Sequence, residues 1–167
     1  MAKRIIWAAV FIIIAALLES TILRRLAVFH AVPDLALGIL VYSAYINGTM
    51  TGQVLGFFSG FLLDFLSAAP LGLNALIRTL IGALAGTLKG AFFLDRIFIP
   101  MFLCAGATMI KALSLLGLHK LLAGPVPSYS FFSPILWVEF ALNTFSAPIL
   151  FGFLKLFESL FAGRRGS

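Results

Sequence analysis

Long apolar runs, separated by short polar breaks, make up most of the chain. They cover approximately residues 5–23, 35–46, 49–66, 75–90, 97–118 and 134–155. Since a membrane-spanning helix needs roughly 20 mainly apolar residues, most of these runs are long enough to cross a bilayer, whereas 35–46 is short for a full span. The pattern predicts an all-α membrane bundle of about six spans, with residues 1–167 forming a single integral membrane domain.

Two neighbouring runs carry glycine or a charged residue at every fourth position. In chain order these residues are Gly52, Gly56, Gly60 and Asp64 in the first run, and Arg78, Gly82, Gly86 and Gly90 in the second. Such spacing favours close packing of two helix backbones in a membrane. The same spacing can also arise by chance, because glycine is frequent in membrane helices.

The polar break between these two runs is rich in turn residues. Pro70 and Gly72 suit a tight turn, and Asn74 suits a helix N-cap. We therefore predict a helical hairpin that folds back about Leu71. This register places Asp64 opposite Arg78, Gly60 opposite Gly82, Gly56 opposite Gly86 and Gly52 opposite Gly90.

The composition supports a membrane protein and excludes several other classes. Hydrophobic residues make up 62% of the chain and charged residues 11%, with a mean hydropathy of +1.11; soluble domains carry about 25% charged residues. The formal net charge is +6, but the basic residues are scattered without a stripe, so we expect no nucleic-acid partner.

Residues that would indicate catalysis or metal binding are missing from the sequence. Cys104 is the single cysteine, and His30 and His119 are far apart, so no disulfide, metal site or cofactor is predicted. The chain also lacks a phosphate-binding loop, a nucleophile elbow and a His-Glu-x-x-His motif. We expect a protein that is not an enzyme.

The distribution of basic residues predicts the orientation of the chain. With six spans, seven basic residues fall on one side and three on the other. The seven are Lys3, Arg4, Lys89, Arg96, Lys155, Arg164 and Arg165, and the three are Arg24, Arg25 and Lys120. The positive-inside rule then places both termini in the cytoplasm.

The first apolar run has two interpretations. A secretory signal peptide also begins with a short basic segment followed by an apolar run. Here the apolar stretch resumes beyond Glu19, and no small-x-small cleavage pattern follows it. We therefore favour an uncleaved first span.

Five charged residues lie in the outer halves of their predicted spans: Glu19, Asp64, Arg78, Lys111 and Glu139. Ionisable groups are costly in lipid, so they are expected to face the interior of the bundle and one another. Such a cluster could form a ligand pocket or a proton path, or it could consist of ion pairs that fix the register of the helices. Asp34 is predicted separately, as the N-cap of the second helix.

Several of these residues form a pattern that resembles the MreD family of rod shape-determining membrane proteins. The resemblance is carried by Pro33-Asp34, by Gly56 to Gly60, and by a D-x-x-S-x-x-P-x-G-x-N pattern. The pattern consists of Asp64, Ser67, Pro70, Gly72 and Asn74. In length and span layout the resemblance extends over nearly the whole chain.

The resemblance implies a noncatalytic subunit of the bacterial cell-elongation complex, located in the cytoplasmic (inner) membrane and supporting peptidoglycan synthesis. Its implied partner is an MreC-like scaffold protein, and through it MreB, RodA and a class B penicillin-binding protein. The family fold is similar to the substrate-binding subunits of energy-coupling-factor transporters. The alternative function is therefore a substrate-binding membrane subunit of a vitamin or small-solute transporter.

The two functions make different demands on the same residues. A transporter subunit needs an open outer cavity lined by the intramembrane charges, whereas a scaffold needs those charges satisfied and a groove for a partner helix. Because stripes with a four-residue repeat drift around a helix, we expect part of the Gly52–Gly60 and Gly82–Gly90 surface to be left free. We predict that this surface, with the outer turn around Pro70 and Asn74, receives the single membrane helix of the scaffold.

Overall fold

A computed structural model describes residues 2–21, 31–67, 70–91, 97–122 and 133–161. These residues form six main helices and one short helix. They are α1 Ala2–Thr21, α2 Leu35–Asn47, α3 Thr49–Leu66, α4 Leu73–Thr87, α5 Phe98–Leu122, α6 Pro134–Leu156 and α7 Glu158–Phe161. The predicted all-α membrane bundle is confirmed.

The helices differ in how far they can reach across a bilayer. Among the described residues, α1, α3, α5 and α6 are long and apolar enough to span a membrane. Helix α2 has 13 residues and α4 has 15, so at 1.5 Å per residue they are about 20 and 22 Å long, against a hydrocarbon core of about 30 Å. The sequence predicted the short α2 but not the shortness of α4.

Helix α2 forms the centre of the bundle. Every residue from Ala36 to Tyr45 is buried, and α2 packs against α1, α3, α4, α5 and α6. A helix that is apolar on all sides is expected in such a core. The predicted N-cap is confirmed, because Asp34 Oδ1 accepts a hydrogen bond from the Leu37 amide at 2.8 Å. Since protein covers α2 on all sides, its length need not match the bilayer.

Contacts at helix ends show that the first helices alternate in direction. Arg4 near the start of α1 lies 3.5 Å from the Asn47 side chain at the end of α2. The Lys89 amine, just beyond α4, donates to the Asn47 carbonyl oxygen at 3.2 Å. At the opposite end, Glu19 of α1 contacts the Ala36 amide of α2. We call the end with Arg4 and Lys89 the amino-terminal end of the bundle.

Helices α3 and α4 form the predicted hairpin and pack backbone against backbone. A Cβ atom on Gly52 would overlap the Gly82 carbonyl oxygen, and one on Gly60 would overlap the Asn74 carbonyl oxygen. The same contact continues at Gly56, against the Arg78 carbonyl, and at Gly86, against the Thr49 backbone. No side chain fits between the helices at these positions.

The predicted register of the hairpin is wrong. Gly52 faces Gly82 rather than Gly90, and Gly60 faces Asn74 rather than Gly82. The reason is that α4 does not start level with the end of α3. The amides at the start of α4 are held beside Asp64, so α4 begins alongside the last turns of α3. Gly90 lies beyond the end of α4 at a positive φ of 76° and makes no such contact.

Candidate functional site

The start of α4 is capped by a carboxylate from α3. Asp64 is 3% exposed, and its Oδ2 accepts hydrogen bonds from the Gly72 amide at 2.9 Å and the Ala75 amide at 3.2 Å. Its Oδ1 accepts from both the backbone amide and the side-chain amide of Asn74, each at 2.9 Å. A negative charge here satisfies the free amides of α4 and interacts favourably with its helix dipole.

The other residues of the D-x-x-S-x-x-P-x-G-x-N pattern shape the turn that makes this cap possible. Gly72 has a φ of 94°, which favours glycine. The Pro70 carbonyl accepts from the Leu73 amide at 3.1 Å, and Ser67 ends α3 in an extended conformation, with its amide bonded to Leu63. The pattern therefore encodes a helix-capping turn.

The predicted ion pair between Asp64 and Arg78 is wrong. Asp64 has backbone amides and Asn74 as partners, and Arg78 lies one turn further along α4. The Arg78 Nη2 atom instead contacts Asp34 Oδ1 at 2.6 Å. The prediction that the buried Arg78 pairs with an acid is correct. The register of α4 against α3 places Asp34, and not Asp64, within reach of its guanidinium.

A chain of ion pairs through Asp34 joins four helices. Besides Arg78, it contacts the Lys111 amine through Oδ2 at 3.0 Å. The same amine lies 2.6 Å from Glu139 Oε1. The resulting chain runs from Arg78 on α4 through Asp34 at the start of α2 and Lys111 on α5 to Glu139 on α6. Lys111 has the most exposed side chain of the four, at 22%.

Further hydrogen bonds extend this chain. The Asp34 backbone amide donates to Asn143 Oδ1 at 2.7 Å, and Asn143 Nδ2 donates to the Thr108 hydroxyl at 3.0 Å. On the other side, Glu19 Oε1 accepts from the Ala36 amide at 2.7 Å. We call the whole group the polar cluster, and its members are Glu19, Asp34, Arg78, Thr108, Lys111, Glu139 and Asn143.

The structure thus brings together four of the five charged residues that the sequence placed at similar depth, and separates Asp64 from them. Sequence reasoning missed Asp34 as the centre, because a residue at the start of a helix was interpreted only as a cap. It also missed Thr108 and Asn143. A signal for both exists, since Thr108 precedes Lys111 by three residues and Asn143 follows Glu139 by four, which is same-face spacing on a helix.

A small cavity adjoins the cluster. A cavity of about 10 Å³, measured as the volume open to the centre of a water molecule, lies beside Asp34, Thr108 and Asn143, and about one water fits such a volume. Among the described residues, one buried donor of the cluster, Arg78 Nη1, has no hydrogen-bond partner. Within the described ranges, no group of three His, Cys, Asp or Glu side chains is placed to hold a metal ion.

The predicted docking surface on the glycine stripes is also wrong. Gly52, Gly56, Gly60, Gly82 and Gly86 are all buried against the facing helix or its start. The expected drift of the stripes does not free them, because α3 and α4 stay in contact from Gly86 to Gly60. The outward face of the hairpin carries large apolar side chains instead, including Phe57, Phe58, Phe61 and Phe65.

Comparison with known proteins assigns the chain to a family. No curated protein and no solved structure shows a significant match, so the similarity to energy-coupling-factor subunits stays a prediction. The family model described as rod shape-determining protein MreD matches residues 1–157. Since this match covers far more than half of the 167 residues, the chain belongs to the MreD family of rod shape-determining membrane proteins.

Proposed function

We propose that this protein is a noncatalytic membrane subunit of the rod-shape complex that binds an MreC-like scaffold and thereby supports peptidoglycan synthesis. Through the scaffold it acts with MreB, RodA and a class B penicillin-binding protein. It lies in the bacterial inner membrane with both termini in the cytoplasm. The observation that carries the proposal is family membership over residues 1–157, combined with intramembrane charges that bind one another.

The polar cluster favours this function over solute transport. A substrate-binding subunit needs a cavity that holds its solute, and small-molecule pockets are typically about 300–1,000 Å³. The cavity beside Asp34 has room for about one water molecule. The groups that would line a pocket, such as Lys111 and Glu139, are already paired. Ion pairs of this kind hold neighbouring helices in a fixed register, as a scaffold subunit needs.

The function is tested by depletion in the native bacterium. Cells without the protein are expected to become round, and expression of the wild-type chain is expected to restore rods. A purified complex should contain the scaffold protein and no stoichiometric small molecule. Rod-shaped growth without the protein, or a co-purifying solute in place of the scaffold, would reject the proposal.

The orientation is tested by cysteine labelling in intact cells. An impermeant thiol reagent is expected to reach Ser128→Cys, in the predicted outer loop, and to miss Ser167→Cys, at the carboxyl terminus. Both positions lie outside the described residues, so the test rests on the seven-to-three charge bias of the sequence. The buried native Cys104 serves as an unlabelled control, and the opposite labelling pattern would reverse the topology.

The scaffold helix needs a different docking surface from the occupied glycine stripes. On α5, a Cβ atom added to Gly106 or to Gly117 would meet no atom of the described residues within 4 Å, apart from the backbone of its own helix. These two glycines are eleven residues apart, and at about 100° per residue this separation returns to within about 20° of the same face. Small residues on a lipid-facing surface let a partner backbone approach closely. We place the scaffold helix against this face of α5.

Bulky substitutions test this docking face without disturbing the fold. Gly106→Leu and Gly117→Leu project into open space, so the protein should remain folded while the scaffold no longer co-purifies. Gly152→Leu is the matched control, because Gly152 on α6 is equally open, and it should retain the scaffold. If all three variants retain the scaffold at the wild-type yield, the docking face lies elsewhere, although the proposed function itself stands.

A further inference from the structure

Two basic side chains from distant parts of the sequence meet at the junction of α2 and α3. At the amino-terminal end of the bundle, the Arg4 guanidinium donates to Asn47 Oδ1 at 3.5 Å, and the Lys89 amine donates to the Asn47 carbonyl oxygen at 3.2 Å. The Lys89 side chain also lies against Gly48, where a Cβ atom would be 3.4 Å from Lys89 Cδ. The fold thus places two cations beside a single residue.

The positive charges of these two bases are not balanced by acids. Four of the five acids in the described part of the chain lie toward the opposite end of the bundle: Glu19, Asp34, Asp64 and Glu139. The fifth, Glu158, forms no ion pair with Arg4 or Lys89 within the described residues. Since arginine carries five N–H donors and lysine three, both bases keep donors for an anion after binding the neutral oxygens of Asn47.

The two bases lie where the apolar surface of the bundle ends. Arg4 is at the start of the membrane-spanning part of α1, Lys3–Thr21, and Lys89 follows the end of α4 by two residues. Exposed apolar side chains begin three residues further on, at Trp7 after Arg4 and at Met50 after Asn47. Basic groups between helices at this depth suit the headgroup of an anionic phospholipid, because its acyl chains can stay against the apolar side chains.

We propose that Arg4 and Lys89 together bind the phosphate of one anionic phospholipid at the amino-terminal end of the bundle. The headgroup lies over the junction of α2 and α3, and the acyl chains contact α1 and the start of α3. A zwitterionic headgroup binds less tightly, because the two bases repel its ammonium group. The site therefore selects acidic lipids such as phosphatidylglycerol over phosphatidylcholine.

Fluorescence quenching of Trp7 measures lipid binding at this site. The chain has two tryptophans, so Trp137→Phe leaves Trp7 as the reporter, three residues from Arg4 and on the same face of α1. The full chain is reconstituted in phosphatidylcholine vesicles that contain brominated phosphatidylglycerol, and in matched vesicles that contain brominated phosphatidylcholine instead. The two quenching curves give the binding constant of phosphatidylglycerol relative to phosphatidylcholine beside Trp7.

We expect phosphatidylglycerol to bind about tenfold more tightly than phosphatidylcholine, given the attraction of each base for anionic lipid. Arg4→Gln and Lys89→Gln should each lower this ratio, because glutamine keeps a hydrogen-bond donor but removes the charge, and together they should reduce it to about twofold. The decisive variant is Lys89→Gln, since Lys89 lies outside the helix that carries the reporter. If Lys89→Gln leaves the ratio unchanged, the two bases do not share one lipid and the proposal is overturned.

Lys3→Gln with Lys155→Gln is the matched control. It removes two charges from the same end of the bundle, at exposed positions, and should keep the ratio within about twofold of the wild type. A loss as large as that of Arg4→Gln with Lys89→Gln would show a diffuse surface attraction and would reject the site. Arg4→Lys with Lys89→Arg preserves both charges and should preserve the lipid preference. If this variant loses the preference while circular dichroism shows unchanged helix content, the charges do not select the lipid and the proposal fails.

Inorganic phosphate distinguishes a lipid site from a site for a soluble anion. Phosphate added to the vesicles should displace brominated phosphatidylglycerol no better than sodium chloride of the same ionic strength, because free phosphate has no acyl chains to place against the apolar side chains. Displacement by phosphate and not by chloride would show that Arg4 and Lys89 bind a soluble phosphate, which would overturn the assignment to a phospholipid.

Discussion

The hairpin of α3 and α4 and the hairpin of α5 and α6 are held together by different interactions. In the first, glycines bring the backbones into contact, and the buried carboxylate of Asp64 binds mainly backbone amides. In the second, side chains meet across the interface, through the Lys111–Glu139 ion pair and the Asn143–Thr108 hydrogen bond. The glycines of α5 and α6, among them Gly106, have open space around them.

The difference shows two ways of holding helices together when the hydrophobic effect gives little help. In lipid, association depends on close packing at small residues or on polar groups that find partners. The α3–α4 hairpin uses the first way along most of its length, whereas α5 and α6 use the second at one depth. Glycine therefore has different structural roles in the two hairpins. In α3 and α4 it allows a backbone contact with the facing helix, whereas in α5 and α6 no such contact is made at the glycines.

The largest expected effect comes from filling the glycine contact. Gly52→Leu places a side chain where the Gly82 carbonyl stands, and because backbone atoms cannot yield as a side-chain end can, we expect almost no folded protein. Gly106→Leu adds the same side chain to an open position and should remain folded. Both are measured as the monodisperse fraction of detergent-solubilised protein in size-exclusion chromatography. Equal folded yields would show that the hairpin tolerates separation.

The second prediction concerns the centre of the polar cluster. Asp34→Asn keeps a residue that caps helices well, but removes the charge that Arg78 and Lys111 share. Removing one partner of a buried ion pair costs about 3–5 kcal/mol, and we expect a loss of this size in SDS-induced unfolding followed by circular dichroism. Adding Arg78→Met should recover part of it. A single variant as stable as the wild type would show that the cluster does not stabilise the fold.

The third prediction separates Asp64 from the cluster. Asp64→Ala leaves the first amides of α4 without their acceptor, and unsatisfied buried donors cost about 1–3 kcal/mol. Since Asp64 and Arg78 bind different partners within the described part of the chain, the losses from Asp64→Ala and Arg78→Met should be additive within about 0.5 kcal/mol. A double variant that is clearly less destabilised than the sum would show that the two residues interact.

The sequence was sufficient for the fold class because apolar runs, turn residues and basic residues are local signals. It was sufficient for the existence of the hairpin but not for its register. The prediction took the turn to be symmetric about Leu71, whereas the reach of the Asp64 carboxylate to the α4 amides fixes the offset. That reach depends on the path of residues between the helices, and no periodicity within either helix encodes it.

The depth of the cluster residues along their helices was predictable from the sequence, but the partner of each charged residue was not. Counting residues from the ends of each span placed Glu19, Lys111 and Glu139 at similar depth, and this needs only the rise of a helix. Which acid meets which base depends on how the helices rotate and cross. Asp34 became the centre because the buried α2 carries its amino-terminal end to the meeting point of α4, α5 and α6, which is a tertiary property.

The smallest expected effect tests the neutral contact between α5 and α6. Thr108→Val keeps the shape of the side chain but removes the hydroxyl that accepts from Asn143 Nδ2, so a buried donor loses its partner at a cost of about 1–2 kcal/mol. Thr144→Val is the matched control, because the hydrogen bond that the Thr144 hydroxyl makes within the described residues is to the Phe140 carbonyl of its own helix. We expect the α5 variant to unfold at a lower SDS fraction than the α6 control. If the two variants are equally stable, side-chain hydrogen bonding adds nothing to the α5–α6 contact beyond the Lys111–Glu139 pair, and the contrast with the glycine hairpin then rests on that ion pair alone.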